Sequence, residues 1–120
     1  MPRLLIVEDE PLLAEMYKDS FKEAGFQVVS APNIENALKE IETRSPDLII
    51  LDILLLDKNG LSLIEKIKEQ KRNIPFLVLS NYDDPETIEK AFELGAKDYL
   101  LKTDFTPLGL IREIKRCLEN

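Results

Sequence analysis

The sequence predicts an α/β layer sandwich on a parallel sheet, and three observations predict it. Short unbroken apolar runs recur, most clearly at Leu4–Val7, Leu48–Leu51 and Phe76–Leu79. Such runs suit strands covered on both faces. Stretches with apolar residues at helical spacing separate them, and strand and helix alternate five times, as parallel sheets require.

Taken in order, Leu4-Leu5-Ile6-Val7 ends in Glu8, Asp9 and Glu10, and Pro11 opens a helix. Leu12, Leu13, Met16, Tyr17, Phe21 and Ala24 form its expected stripe, closed by Gly25. Gln27–Ala31 is short and half apolar, as an edge strand is. Asn33 caps a helix bearing Ile34, Ala37, Leu38 and Ile41, and Ser45-Pro46 stops it. Leu48–Leu51 is the central strand, running straight into Asp52, with an Asn59-Gly60 turn signal behind it. A third helix points Leu61, Ile64 and Ile67 inward. Pro75 opens the run that ends in Ser80. Asp84-Pro85 starts a helix with Ile88, Ala91 and Phe92, closed by Gly95. Tyr99-Leu100-Leu101 is a fifth strand ending in Lys102. Thr106-Pro107 begins a last helix carrying Leu110, Ile111, Ile114, Cys117 and Leu118.

The totals narrow the function. A chain of 120 residues, 44% apolar and 32% charged, is one globular domain with a core of its own. A formal net charge of −7 argues against a nucleic-acid surface. No apolar run approaches membrane-spanning length, and Met1-Pro2-Arg3 leads into a strand without a secretory pattern. One cysteine, on an apolar stripe, supplies packing rather than a disulfide framework, so a cytoplasmic location is expected. Histidine is absent, which excludes histidine triads, histidine metal clusters and phosphohistidine carriers.

An ionised group at the end of a buried strand is costly unless something uses it. In a parallel sheet, Glu8, Asp9, Asp52, Ser80 and Lys102 share one edge, where open α/β sheets keep their sites. Any one alone is an ordinary polar strand terminus. Together, three acids, a hydroxyl and an amine end the most apolar strands, on neighbours about 5 Å apart. Three close carboxylates repel, which a hard divalent cation such as Mg²⁺ or Mn²⁺ relieves. Lys102 offers a charge for a phosphoryl oxygen and Ser80 a donor. That inventory suits phosphoryl transfer.

Glu8-Asp9, Asp52, Ser80, Tyr99 and Lys102, with the G-A-K-D-Y-L segment at 95–100, resemble the receiver domain of two-component response regulators. The resemblance covers residues 1–120 as one receiver domain; an output domain, where one follows, lies beyond residue 120. It implies a flavodoxin-like (βα)5 three-layer sandwich with strand order 2-1-3-4-5. It also implies that Asp52 accepts a phosphoryl group from a sensor histidine kinase or phosphotransfer protein. Asp9, Asp52 and the Leu54 carbonyl would ligate Mg²⁺, with Glu8 acting through water. Lys102 would pair with the phosphoryl group, and Ser80 and Tyr99 would move as switch residues. Such a chain catalyses only its own phosphorylation and a slow dephosphorylation.

Four positions depart from that family's pattern. Leu56 and Thr103 occupy positions where proline is common, which leaves the first loop less rigid and the Lys102–Thr103 isomer open. Asn81 and Tyr82 are bulkier than usual after Ser80, and are expected to control access to the phosphoryl group. The fourth helix, fifth strand and last helix present Glu89, Lys90, Asp98, Arg112 and Arg116, a face for a second copy or an output partner. A haloacid dehalogenase-type phosphatase is the main rival, but it wants a second Asp where Leu54 stands. A receiver-like scaffold without phosphorylation is the other.

Overall fold

Strands apolar on both faces need helices on both faces, and the computed structural model, which describes residues 1–56 and 58–119, has that arrangement. Its strands are β1 (Arg3–Val7), β2 (Gln27–Ala31), β3 (Leu48–Leu51), β4 (Leu54–Leu55), β5 (Lys58–Asn59), β6 (Phe76–Ser80) and β7 (Tyr99–Leu101). Its helices are α1 (Pro11–Glu23), α2 (Ile34–Arg44), α3 (Leu61–Glu69), α4 (Pro85–Glu93) and α5 (Pro107–Glu119). The main sheet runs β2-β1-β3-β6-β7 with every pairing parallel. Leaving aside the hairpin β4–β5, this is the expected order 2-1-3-4-5. The weak strand β2 does lie at an edge.

Side chains alternate between two cores. Leu5, Val7, Ile49, Leu51, Phe76 and Val78 pack with Ile34, Ala37 and Ile41 of α2, with Leu61, Ile64 and Ile67 of α3, and with Ala91 of α4. Leu4, Ile6, Leu48, Ile50, Leu77 and Leu79 pack with Tyr17 and Phe21 of α1 and with Leu110, Ile114 and Cys117 of α5. Burial raises the Cys117 thiol pKa, in keeping with a packing role. Caps form where the sequence places them. Asn36 N–H donates to Asn33 Oδ1 at 2.8 Å, and Thr87 N–H to Asp84 Oδ2 at 3.1 Å.

Two expectations change. The α1 stripe is Ala14, Tyr17 and Phe21, while Leu12 and Met16, two positions off it, are 89% and 42% exposed. On α4, Phe92 is likewise exposed and only Ala91 is buried. The hairpin β4–β5, pairing Leu54 with Asn59 antiparallel, has too few residues to show a strand period in the sequence.

Gly60 is required by space. A Cβ there would lie 2.0 Å from the Asp52 carbonyl oxygen, at an ordinary helical φ of −58°. Gly60→Ala therefore forces the start of α3 away from the end of β3. It should cost about 2 kcal/mol, in the range for overpacking, read as a lower urea midpoint at unchanged m-value.

Candidate functional site

The carboxyl edge of the sheet brings together all five residues that the strand ends supply. Glu8, Asp52 and Ser80 are buried, an unusual set for polar side chains. Lys102 Nζ lies 2.6 Å from Glu8 Oε1 and 2.8 Å from Asp52 Oδ2. Ser80 Oγ–H donates to Asp52 Oδ1 at 2.7 Å, and the Leu54 N–H reaches the same oxygen at 3.3 Å. Each oxygen of the Asp52 carboxylate is thereby held by its own donor. Glu8 turns back to accept from the Glu10 N–H at 3.2 Å.

Glu8, Asp9 and Asp52 each present one oxygen within 4.8 Å of the others. Three carboxylates against one ammonium leave a formal charge of −2, and among the described residues no cation pairs with Asp9. An oxygen-rich site with two unbalanced negative charges fits a hard divalent ion. Burial raises the Glu8 carboxyl pKa although Lys102 pulls it the other way. For Lys102, burial lowers the pKa, but its bonds to Asp52 and Glu8 prevail and raise it.

The loop after β6 is tied from two sides. The Tyr99 hydroxyl donates to the Tyr82 carbonyl, and the Tyr82 N–H donates to Ser80 Oγ at 3.2 Å. Burial, with the negative charge of Asp52 second, pushes the Tyr99 phenol up to about 12. Thr103 N–H donates to Asn81 Oδ1 at 3.2 Å. Asn81 and Tyr82 are both exposed beside the site, Tyr82 at 37%.

The main-chain amides escaped the sequence, from which only the Leu54 carbonyl is given a role. Leu54 enters through its amide, its side chain turned to solvent. Leu56 N–H donates to Asp9 Oδ2 at 2.8 Å. The loop behind Asp52, expected to be less rigid without proline, is thus anchored to an acid of the site. There are no cis peptides among the described residues, so the Lys102–Thr103 bond is trans, opening a 3₁₀ turn over Lys102–Asp104. The turn signal at Asn59-Gly60 pointed to Gly60, though not to its contact with Asp52. No sequence signal marks the amides.

On the face of α4, β7 and α5, Lys90 pairs with Glu65 of α3 at 3.7 Å, and Arg116 with Glu113 of its own helix at 3.2 Å. The Lys90–Glu65 pair, exposed on both sides, contributes little stability. No helix among the described residues is long and apolar enough to cross a membrane.

Tyr99 gives a pH dependence of defined sign. A phenol whose pKa is raised on folding contributes stability that is complete below its unfolded value, near 10. That stability is lost as pH rises through the folded value near 12. Lys102 shifts the same way, from 10.5 upward. Wild type should therefore lose urea stability between pH 10 and 12 more steeply than Tyr99→Phe, which retains the parts due to Lys102, Tyr17 and Cys117, all raised on folding. Parallel curves would contradict this.

The chain matches the family described as response regulator receiver domain over residues 4–115. It is 33% identical to the alkaline phosphatase synthesis transcriptional regulatory protein PhoP of Bacillus subtilis (strain 168), over 97% of this chain and 48% of that protein. It is 35% identical to the phosphate regulon transcriptional regulatory protein PhoB of Escherichia coli (strain K12), over 97% of this chain and 51% of that one. The chain thus spans about half the length of these curated relatives. The non-phosphorylated HemR receiver domain from Leptospira biflexa superposes with a TM-score of 0.91 at 30% identity, covering 100% of this chain and 96% of that one. With the sheet order and the carboxyl-edge site already described, these matches make the chain a member of the response regulator receiver domain family.

Proposed function

We propose that Asp52 is the phospho-acceptor of this receiver and that Glu8, Asp9, Lys102 and Ser80 serve the transfer. The observation that carries this is the Asp52 carboxylate itself: Lys102 holds Oδ2, Ser80 holds Oδ1, and two further acids stand within 4.8 Å. A carboxylate oxygen attacks the phosphorus of a phosphohistidine on a sensor kinase or phosphotransfer protein. The P–N bond breaks, a P–O bond forms, and the imidazole leaves with the electron pair. Such a transition state needs positioning and charge neutralisation more than covalent help.

Asp9, Asp52 and the Leu54 carbonyl would hold the divalent ion, Mg²⁺ or Mn²⁺, with Glu8 acting through water. When bound, the ion neutralises charge on the phosphoryl oxygens and on the crowded acids. Lys102 orients the phosphoryl group by charge, and Ser80 donates to it. A phosphorylated Asp52 adds roughly two negative charges at one point. Ser80 and Tyr99 carry that change to the loop they both hold through Tyr82, which biases a two-state element if the states contact the phosphate differently. Asn81 and Tyr82 limit water access, so dephosphorylation is slow. The chain is then a cytoplasmic switch rather than a turnover enzyme. The phosphatase and scaffold readings are not favoured.

Intact mass after acetyl phosphate and Mg²⁺ should show one added phosphoryl group on wild type and none on Asp52→Asn. Followed over time, the Asn81→Ala, Tyr82→Ala chain should lose it faster. No gain with acetyl phosphate or with a panel of kinases would favour the scaffold. For the face of α4, β7 and α5, we propose pairing with a second copy on phosphorylation. Sedimentation should then show a dimer with beryllofluoride and a monomer without it; a monomer in both would end the idea.

A further inference from the structure

Leu56 is an anomaly on three counts. Its φ of 43° lies in the left-handed region, where a bulky non-glycine residue is uncommon and costs conformational energy. Its side chain is 89% exposed, so packing does not repay that cost. Among the described residues it engages the site through the main chain, where its N–H donates to Asp9 Oδ2 at 2.8 Å.

A backbone held in an unfavourable region persists where surrounding contacts over-determine it, and such residues cluster at functional sites. Here the contact is a charge-assisted hydrogen bond to a member of the three-acid cluster. A carboxylate has two oxygens. With Oδ2 engaged by an amide, its rotation about the terminal bond is restricted and the remaining oxygen is presented in one direction. Hydrogen bonds of this kind, behind a ligating group, orient it and raise affinity.

We propose that Leu56 is a positioning residue for the divalent cation. Its N–H fixes the Asp9 carboxylate, and the left-handed turn aims that N–H. The side chain is incidental. This rests on the reading of Glu8, Asp9 and Asp52 as the metal site. It assigns a residue outside the acidic cluster to metal affinity, through an atom that every amino acid except proline possesses.

The test is Mg²⁺ affinity, by calorimetric titration of the full chain with MgCl₂. Leu56→Pro removes the N–H and excludes a positive φ; Leu56→Gly keeps the N–H and adopts that φ freely. Leu56→Pro should weaken Mg²⁺ binding about tenfold, the lower end for losing such a partner, while Leu56→Gly retains wild-type affinity. In the Asp9→Asn background, Leu56→Pro should have no further effect, which a general loosening of the loop would not produce. Melting in EDTA checks that each variant is folded. Equal or tighter binding by Leu56→Pro would overturn the proposal, as would a Leu56→Gly loss matching that of Leu56→Pro. Wild type failing to bind Mg²⁺ would instead overturn the metal site itself. Should Leu56→Pro not fold, the wild-type Leu56 amide decides by NMR. It should stay protected from exchange at saturating Mg²⁺, and loss of protection on metal binding would refute the role.

Discussion

One ammonium shared by two buried carboxylates holds the site together. Lys102, at the end of β7, meets Glu8 from β1 and Asp52 from β3. These strands are not neighbours in sequence, and the sheet places β6 between β3 and β7. The bridge therefore reads out the whole parallel arrangement, since the lysine reaches across Ser80 to the acids. Removing two charges from water is costly, and the return depends on good geometry and on satisfying the remaining lone pairs. Ser80 and the amides of Leu54 and Glu10 provide that satisfaction. An arrangement so dependent on every partner is poorly suited to stability for its own sake and well suited to being re-set by a new charge on Asp52.

The architecture was legible because each local preference agrees with the tertiary result. Leu48–Leu51 is apolar on both faces because β3 is covered on both faces, and Gln27–Ala31 is mixed because β2 is an edge. The acids, Ser80 and Lys102 were legible because a parallel sheet brings successive strand ends to one side. Helix orientation was read less well. Leu12, Met16 and Phe92 fall within apolar spacing yet face outward, since spacing admits more than one stripe and the sheet selects among them. The hairpin β4–β5 was illegible because its strands are two residues each.

Least legible were the main-chain amide donors. At both positions where proline is common in this family, the residue present uses the N–H that proline lacks. Leu56 donates to Asp9, and Thr103 donates to Asn81. A substitution table scores these as losses of a rigid residue. Structurally, each exchanges a fixed dihedral for a hydrogen-bond donor, one going to an acid of the site and the other to an amide beside it. The rigidity expected of a proline is replaced by a contact that depends on the acid or amide opposite.

Asp52 has a second consequence, for strand alignment. Where one face of a strand is wet, a slip of one residue is penalised because it turns the apolar set outward. β3 has no wet face: Leu48, Ile49, Ile50 and Leu51 are all buried, so sliding among them changes little burial. What resists sliding is the polar residue at each end. Asp47 accepts from the Arg3 N–H at 2.8 Å at one edge, while Asp52 meets Lys102 and Ser80 at the other. Moving the strand either way would drag a carboxylate under the helices. The aspartate at the centre of the site is thus also a stop that sets the frame of the central strand.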